Sequence, residues 1–218
     1  MFTVSNSIQA AVQAIVFLLL LYVAYSYFAS KTEHAKLFGL GIVFLSLSYA
    51  SWAAATLLWT NPFIEYKTLA YTLQIASILV FLGCSVYLAP KKYQRALDIF
   101  VVVLAALIAT YLFVNPILDG SFVYSLRYYL SFQNEPTITI FSVLMALSLI
   151  FASFAIGSEK SARFKLDLKR ALFIVLAISL AISYSSYSDS VRLINTVVLL
   201  IDCALLSFSH INVSKSNK

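Results

Sequence analysis

The chain has 218 residues, 61% of them hydrophobic and only 11% charged, with 15 Lys and Arg against 9 Asp and Glu for a formal net charge of +6. A soluble domain carries roughly 25% charged residues. So few charges cannot cover a water-facing surface, which points to an all-α polytopic membrane protein and excludes a soluble catalytic domain of any size.

Seven apolar segments follow one another, at about 7–29, 37–59, 68–89, 96–115, 137–156, 171–187 and 191–211. Each is near the ~20 residues that cross a bilayer as a helix. Short loops make sequential helices antiparallel neighbours, so the expectation is one seven-helix bundle over 1–218. No basic residue precedes the first segment, so it lacks the start of a cleaved signal peptide and reads as an uncleaved first helix. Gln9 and Gln13 share a face near its start, suited to interfacial water or to a neighbouring helix.

The second segment carries Tyr49, Trp52 and Trp59. Trp59 suits the aromatic belt at a membrane surface. Tyr49 and Trp52 lie deeper, as packing residues or as part of a ligand box. Gln74 and Ser77 are the main polar content of the third segment. Beyond Asp98 the fourth is almost purely aliphatic, as expected of a helix facing lipid or a partner subunit over much of its circumference.

The longest connection spans about 117–135. Phe122, Leu126, Tyr129 and Leu130 recur there at helical spacing, which predicts an amphipathic helix in the interface, either a surface bumper or a lid. The run Ser158–Arg170 reads as a solvated, charge-rich turn. The sixth and seventh segments follow, and a polar tail runs from Asn212 to Lys218.

Glycine and proline are scarce. The five Gly form no GxxxG face for close helix contact, and Pro62, Pro90, Pro116 and Pro136 all fall at segment edges. Carriers commonly build their sites from Gly- or Pro-interrupted helices, so this pattern weighs against alternating access. Orientation follows from Lys and Arg. Twelve of the fifteen flank the turns after segments one, three and five or lie in the tail, and only Lys67, Arg127 and Arg192 lie opposite. The N-terminus is therefore expected outside and the C-terminus in the cytoplasm, with the basic rim drawn to anionic lipid rather than to nucleic acid.

Asp202 is the one acid deep inside a long apolar segment. An ionisable group in hydrocarbon is costly and marks a site by default. By helical rise it lies about 13 Å from the inner end of its segment. Asn195 and Ser209 share its face, while Tyr49, Ser148 and Ser179 lie at comparable depth on other segments. Arg192 is about 15 Å away by the same rise, too far to pair. Two readings remain open: a neutral acid bonded to hydroxyls such as those of Ser148 or Ser179, or a switch responding to a proton, a cation or a ligand. A lone titratable group argues against a proton pump.

No enzyme pattern is present. His34 and His210 lie at helix ends, which removes a bis-histidine haem, and no His, Cys or carboxylate cluster is spaced for a metal. Intramembrane proteolysis would need two Asp, or a Ser with a His. No cofactor is expected. Cys84 and Cys203 read as small buried hydrophobes.

Seven helices, an outside N-terminus and the stretch Leu200-Ile-Asp-Cys-Ala-Leu-Leu206 resemble the microbial rhodopsin plan. In that family a retinal-bearing Lys follows the Asp by four residues; here that position is Leu206, so the resemblance implies no pigment. Topology, short loops and the mid-segment Trp52 are also similar to the seven-helix sensor regions of some histidine kinases, with any output expected from a separate chain. The functional expectation is a non-enzymatic, receptor-like or accessory subunit of a prokaryotic cell membrane, acting through a protein partner or a second copy. Asp202 would be its switch or docking residue, and Asn195, Ser148, Ser179, Tyr49, Trp52 and Gln74 the other site candidates. The alternatives are a small transporter or channel with a polar path near Asn195, Asp202 and Ser209, and a structural subunit docked through the fourth helix.

Overall fold

A computed structural model describes residues 4–57, 62–118, 135–156, 163–185 and 189–216. Among these the fold is all-α, with seven helices and no strand. They are α1 (Val4–Phe28), α2 (Glu33–Leu57), α3 (Pro62–Ser85), α4 (Lys91–Leu118), α5 (Glu135–Ile156), α6 (Arg163–Ser185) and α7 (Asp189–Ser216), with a 3-10 turn, Val86–Leu88, between α3 and α4. Residues 119–134 lie outside the description, and with them nearly all of the expected interfacial helix.

Several helices outrun the apolar segments. α6 begins at Arg163, so the second half of the expected solvated turn is its first two turns; α4 likewise begins at Lys91 within the basic turn. Lys, Arg and Leu are good helix formers, and nothing between Arg163 and the apolar segment breaks the backbone. Proline marks starts. Pro62 opens α3 and Pro136 is the second residue of α5, where its missing N–H has no helical partner in any case. Before Pro90, Ala89 is extended at φ −76°, ψ 150°, as the proline ring requires. Pro116 differs from expectation: it sits inside the last turn of α4, where its missing N–H leaves one carbonyl a turn back without its helical donor.

Six helices close into a ring, α1–α2–α3–α5–α6–α7 and back to α1, with α2 also touching α5 across it. α4 stands outside, packed chiefly against α3 and the 3-10 turn. Near one end Phe38 of α2 joins four helices. Its ring centroid lies 5.0 Å from Tyr27 of α1, 5.3 Å from Phe81 of α3 and 5.0 Å from Phe173 of α6, the first and last edge-on. Edge-to-face pairs add about 0.5–1.5 kcal/mol each beyond area burial.

Close helix contact comes from two glycines that form no GxxxG motif. A Cβ on Gly39 would lie 3.2 Å from the Ala24 carbonyl oxygen, and one on Gly41 only 2.5 Å from the Phe81 ring. At that second seam Ser77 Oγ donates to the Gly41 carbonyl at 2.9 Å. Gly41→Ala should therefore lower stability by about 1–3 kcal/mol, the usual cost of overpacking. Gly83→Ala, whose Cβ would meet only Leu37 at 3.9 Å, should stay close to wild type. Thermal unfolding of both variants in detergent checks the contrast, and Phe81→Leu should restore part of the Gly41→Ala loss.

Candidate functional site

Outward positions are mainly apolar, and the buried positions of most helices set serines, amides or Asp202 among a larger number of apolar core side chains. Along α7, Ile194, Val197, Val198, Ile201, Leu205 and Phe208 are exposed, while Asn195, Asp202 and Ser207 are buried. Along α5, Leu147, Phe151 and Phe154 face out and Ser148 and Ser153 face in; on α6, Ile178 faces out and Ser179 in. α2 and α3 bury Ser46, Ser48, Ser51, Gln74 and Ser77. Helical periodicity sorts each sequence into these two faces.

Most inward hydroxyls are committed to backbone carbonyls. Ser46 Oγ donates to the Phe17 carbonyl at 2.9 Å, and Ser207 to that of Leu19 at 3.3 Å. These bonds cross between helices and tie α2 and α7 to α1. Others turn back on their own helix: Ser48 to Leu45, Ser148 to Met145, Ser153 to Ile150. Such local bonds compete effectively for a hydroxyl, because the carbonyl three or four residues back is always within reach.

Asp202 is the fourteenth of the 28 residues of α7, so it lies about 20 Å from either end of that helix by its rise. That is deeper than the segment boundaries suggested, because α7 runs on to Ser216. The residue is 3% exposed, and neither carboxyl oxygen has a hydrogen-bond partner among the described residues. The expected hydroxyls do not reach it. Ser148 bonds the Met145 carbonyl, and the Ser179 carbonyl instead accepts from Asn195 Nδ2 at 2.7 Å.

Three of the expected residues share a layer with groups not foreseen. Gln74 is fully buried and its Nε2 donates to Ser48 Oγ at 3.4 Å, leaving Oε1 without a partner. The next residue, Tyr49, is buried, as is Cys203 beside Asp202 on α7. The Gln74–Ser48 bond thus joins α3 to α2 inside the bundle. Ser48 and Cys203 had no separate signal in the chain beyond adjacency to Tyr49 and Asp202. Trp52 is half-buried, and its carbonyl accepts from Thr56 Oγ1 at 2.8 Å. Gln13 takes a bond from Thr56 at 3.2 Å, the helix-bridging choice of its two expected roles.

No group of three or more His, Cys, Asp or Glu comes together among the described residues. A transition-metal centre has no ligand set in this layer. What the layer offers is buried oxygen acceptors.

Asn195→Ala should remove the α7–α6 tie and lower stability by about 1 kcal/mol, the scale of side-chain hydrogen bonds inside helical membrane bundles. Ser148→Ala, which removes only a bond within its own helix, should cost less. Unfolding of the two variants in the same detergent gives the comparison.

Comparison with protein-family models, with curated proteins and with solved structures finds no match.

Proposed function

We propose that the chain is a polytopic integral membrane protein of non-enzymatic, receptor-like or accessory type, which acts through protein partners in the bilayer and uses Asp202 as a buried switch residue. Two helices, Ser7–Phe28 and Glu33–Leu57, are long and apolar enough to cross a membrane. Membrane passage of the others is argued from the polarity of the faces. Leu18, Tyr25, Phe100, Val102, Leu107, Ile194 and Phe208 are each more than 60% exposed, bar none of them charged or polar-tipped save Tyr25. Soluble monomers rarely expose contiguous apolar surface beyond a few hundred Å², and here large apolar side chains are exposed along α1, α5 and α7 among others.

The observation that carries the switch assignment is the isolated carboxyl of Asp202. A group held at such a cost, with no hydrogen-bond partner among the described residues, is suited to a second state in which it gains one. The accessory role rests on α4, whose described side chains are almost all exposed and, beyond Asp98, all apolar. The transporter alternative has less support. On α7, Leu199 and the fully buried Leu206 separate Asn195, Asp202 and Ser209, and Ser209 Oγ donates to the Leu206 carbonyl of its own helix.

Single-cysteine variants test the membrane assignment in intact cells. Ile201→Cys and Phe208→Cys should resist a water-soluble maleimide until the bilayer is dissolved, whereas Lys31→Cys and Lys92→Cys should react from the cytoplasmic side. Fast labelling of Ile201→Cys in intact membranes would overturn that assignment. A photoreactive residue at Phe100, Val102 or Leu107 tests the partner role. Adducts to a protein chain are expected, and lipid adducts alone at all three positions would remove it.

A further inference from the structure

We infer that the outer cleft between α4 and α5 holds one phospholipid with an anionic headgroup, its phosphate at Lys91, Lys92 and Arg95 and an acyl chain along the apolar sides of the two helices. The inference rests on the membrane assignment above and is independent of the role of Asp202. It leaves the sides of α4 turned away from α5 to the protein partner.

α3 packs against both α4 and α5, and the 3-10 turn Val86–Leu88 also touches both, while α4 and α5 themselves barely meet. Between them is a cleft backed by α3 and closed at one end by that turn. Its α5 wall is an apolar ladder. Leu144, Leu147, Phe151 and Phe154 recur at helical spacing and are each between 40% and 50% exposed. Beyond Asp98 the exposed side chains of α4 are all apolar, so whichever side it turns to α5 is apolar too.

Charge and depth define the occupant. At the closed end Lys91, Lys92 and Arg95 are exposed on neighbouring turns of α4, with Asp98 the one acid of that helix. Lys92 Nζ lies 4.6 Å above the Tyr93 ring, and Tyr93 and Tyr87 are themselves exposed. Exposed Tyr beside Lys and Arg is the arrangement found at headgroup depth. From Arg95 to Leu107 α4 rises about 18 Å, and from Phe154 back to Leu144 α5 rises about 15 Å. Each is close to half of a ~30 Å hydrocarbon core. The cleft thus sets cations at the headgroup depth of one leaflet and apolar walls along the chains of that leaflet. An anionic phospholipid carries phosphate and chain at these same two depths. A zwitterionic lipid leaves the excess of positive charge uncompensated, and a partner helix would need an acidic segment at the same level.

Tryptophan quenching by dibrominated lipids in vesicles tests the inference. The purified full chain carries either Leu147→Trp in the cleft or Leu205→Trp on the outer face of α7, and the signal of the parent's own tryptophans is subtracted. Brominated phosphatidylglycerol replaces phosphatidylcholine in rising fractions. Leu147→Trp should reach half-quenching at a roughly fivefold lower fraction than Leu205→Trp, the worth of about one basic side chain at an anionic surface. Replacing Lys91, Lys92 and Arg95 together by Gln should remove the difference. If circular dichroism and gel filtration show that variant unfolded, salt at about 1 M decides, since it shortens the screening length to about 3 Å and should remove the preference. Equal half-quenching at the two positions, or a preference that survives the Gln substitutions or the salt that stands in for them, would overturn the inference. So would an unquenched Leu147→Trp beside a quenched Leu205→Trp, which puts a second copy of the chain over the cleft. Failure of the membrane assignment is distinct: brominated phosphatidylcholine alone would then quench neither position.

Discussion

How closely α2 approaches its neighbours determines the rest of the bundle. The absence of a side chain at Gly41 lets the Phe81 ring lie where a Cβ would be, and lets Ser77 reach the Gly41 carbonyl. Gly39 does the same toward Ala24 of α1. Two glycines two residues apart point to different sides of a helix, so α2 is drawn tightly against α1 and α3 at once. This seam brings Gln74 onto Ser48. Phe38, one turn before Ile42, then fills the junction of α1, α2, α3 and α6 with aromatic edge contacts. The polar layer is a consequence of this close packing around one central helix.

The isolation of Asp202 has a local cause. Serine in a helix always finds a carbonyl one turn back, and in this bundle most inward serines take it or the carbonyl of an adjacent helix. A carboxyl on another helix must compete with that ready partner across a longer and less certain distance. A bundle rich in hydroxyls can therefore still leave an acid alone. The chain's amides behave differently. Asn195 Nδ2 donates across the α6–α7 gap to the Ser179 carbonyl.

α4 belongs to the same physical scheme by contrast. Each helix of the ring buries one side in a largely apolar core, in which α2, α3, α5, α6 and α7 also place serines, amides or Asp202. α4 has apolar residues on all sides beyond Asp98, so no single face is selected for burial, and it rests against the outer end of α3 and the 3-10 turn. Its basic first turn, with Lys91, Lys92 and Arg95 exposed, fixes one end at a charged surface, consistent with the side assigned to most of the chain's cations.

The sequence by itself determined the number and order of the helices, the placement of Pro62, Pro90 and Pro136 at their starts, the outward character of α4 and the burial of Asp202. Each follows from hydropathy, periodicity or fixed proline geometry, which act within a few residues. It did not determine where the helices end, because Lys- and Arg-rich turns such as 163–170 continue a helix as readily as they leave it. Nor did it reveal the seams at Gly39 and Gly41, or which groups would meet Asp202. Ser148 stood at the right depth but bonds within its own helix, and at Ser179 it is the backbone carbonyl that is engaged, by Asn195. Depth along a helix is a property of the chain, but rotation of one helix against another is set by packing between distant residues. Only the tertiary structure decided which oxygens face which, and so left both Asp202 carboxyl oxygens and Gln74 Oε1 without a donor among the described residues.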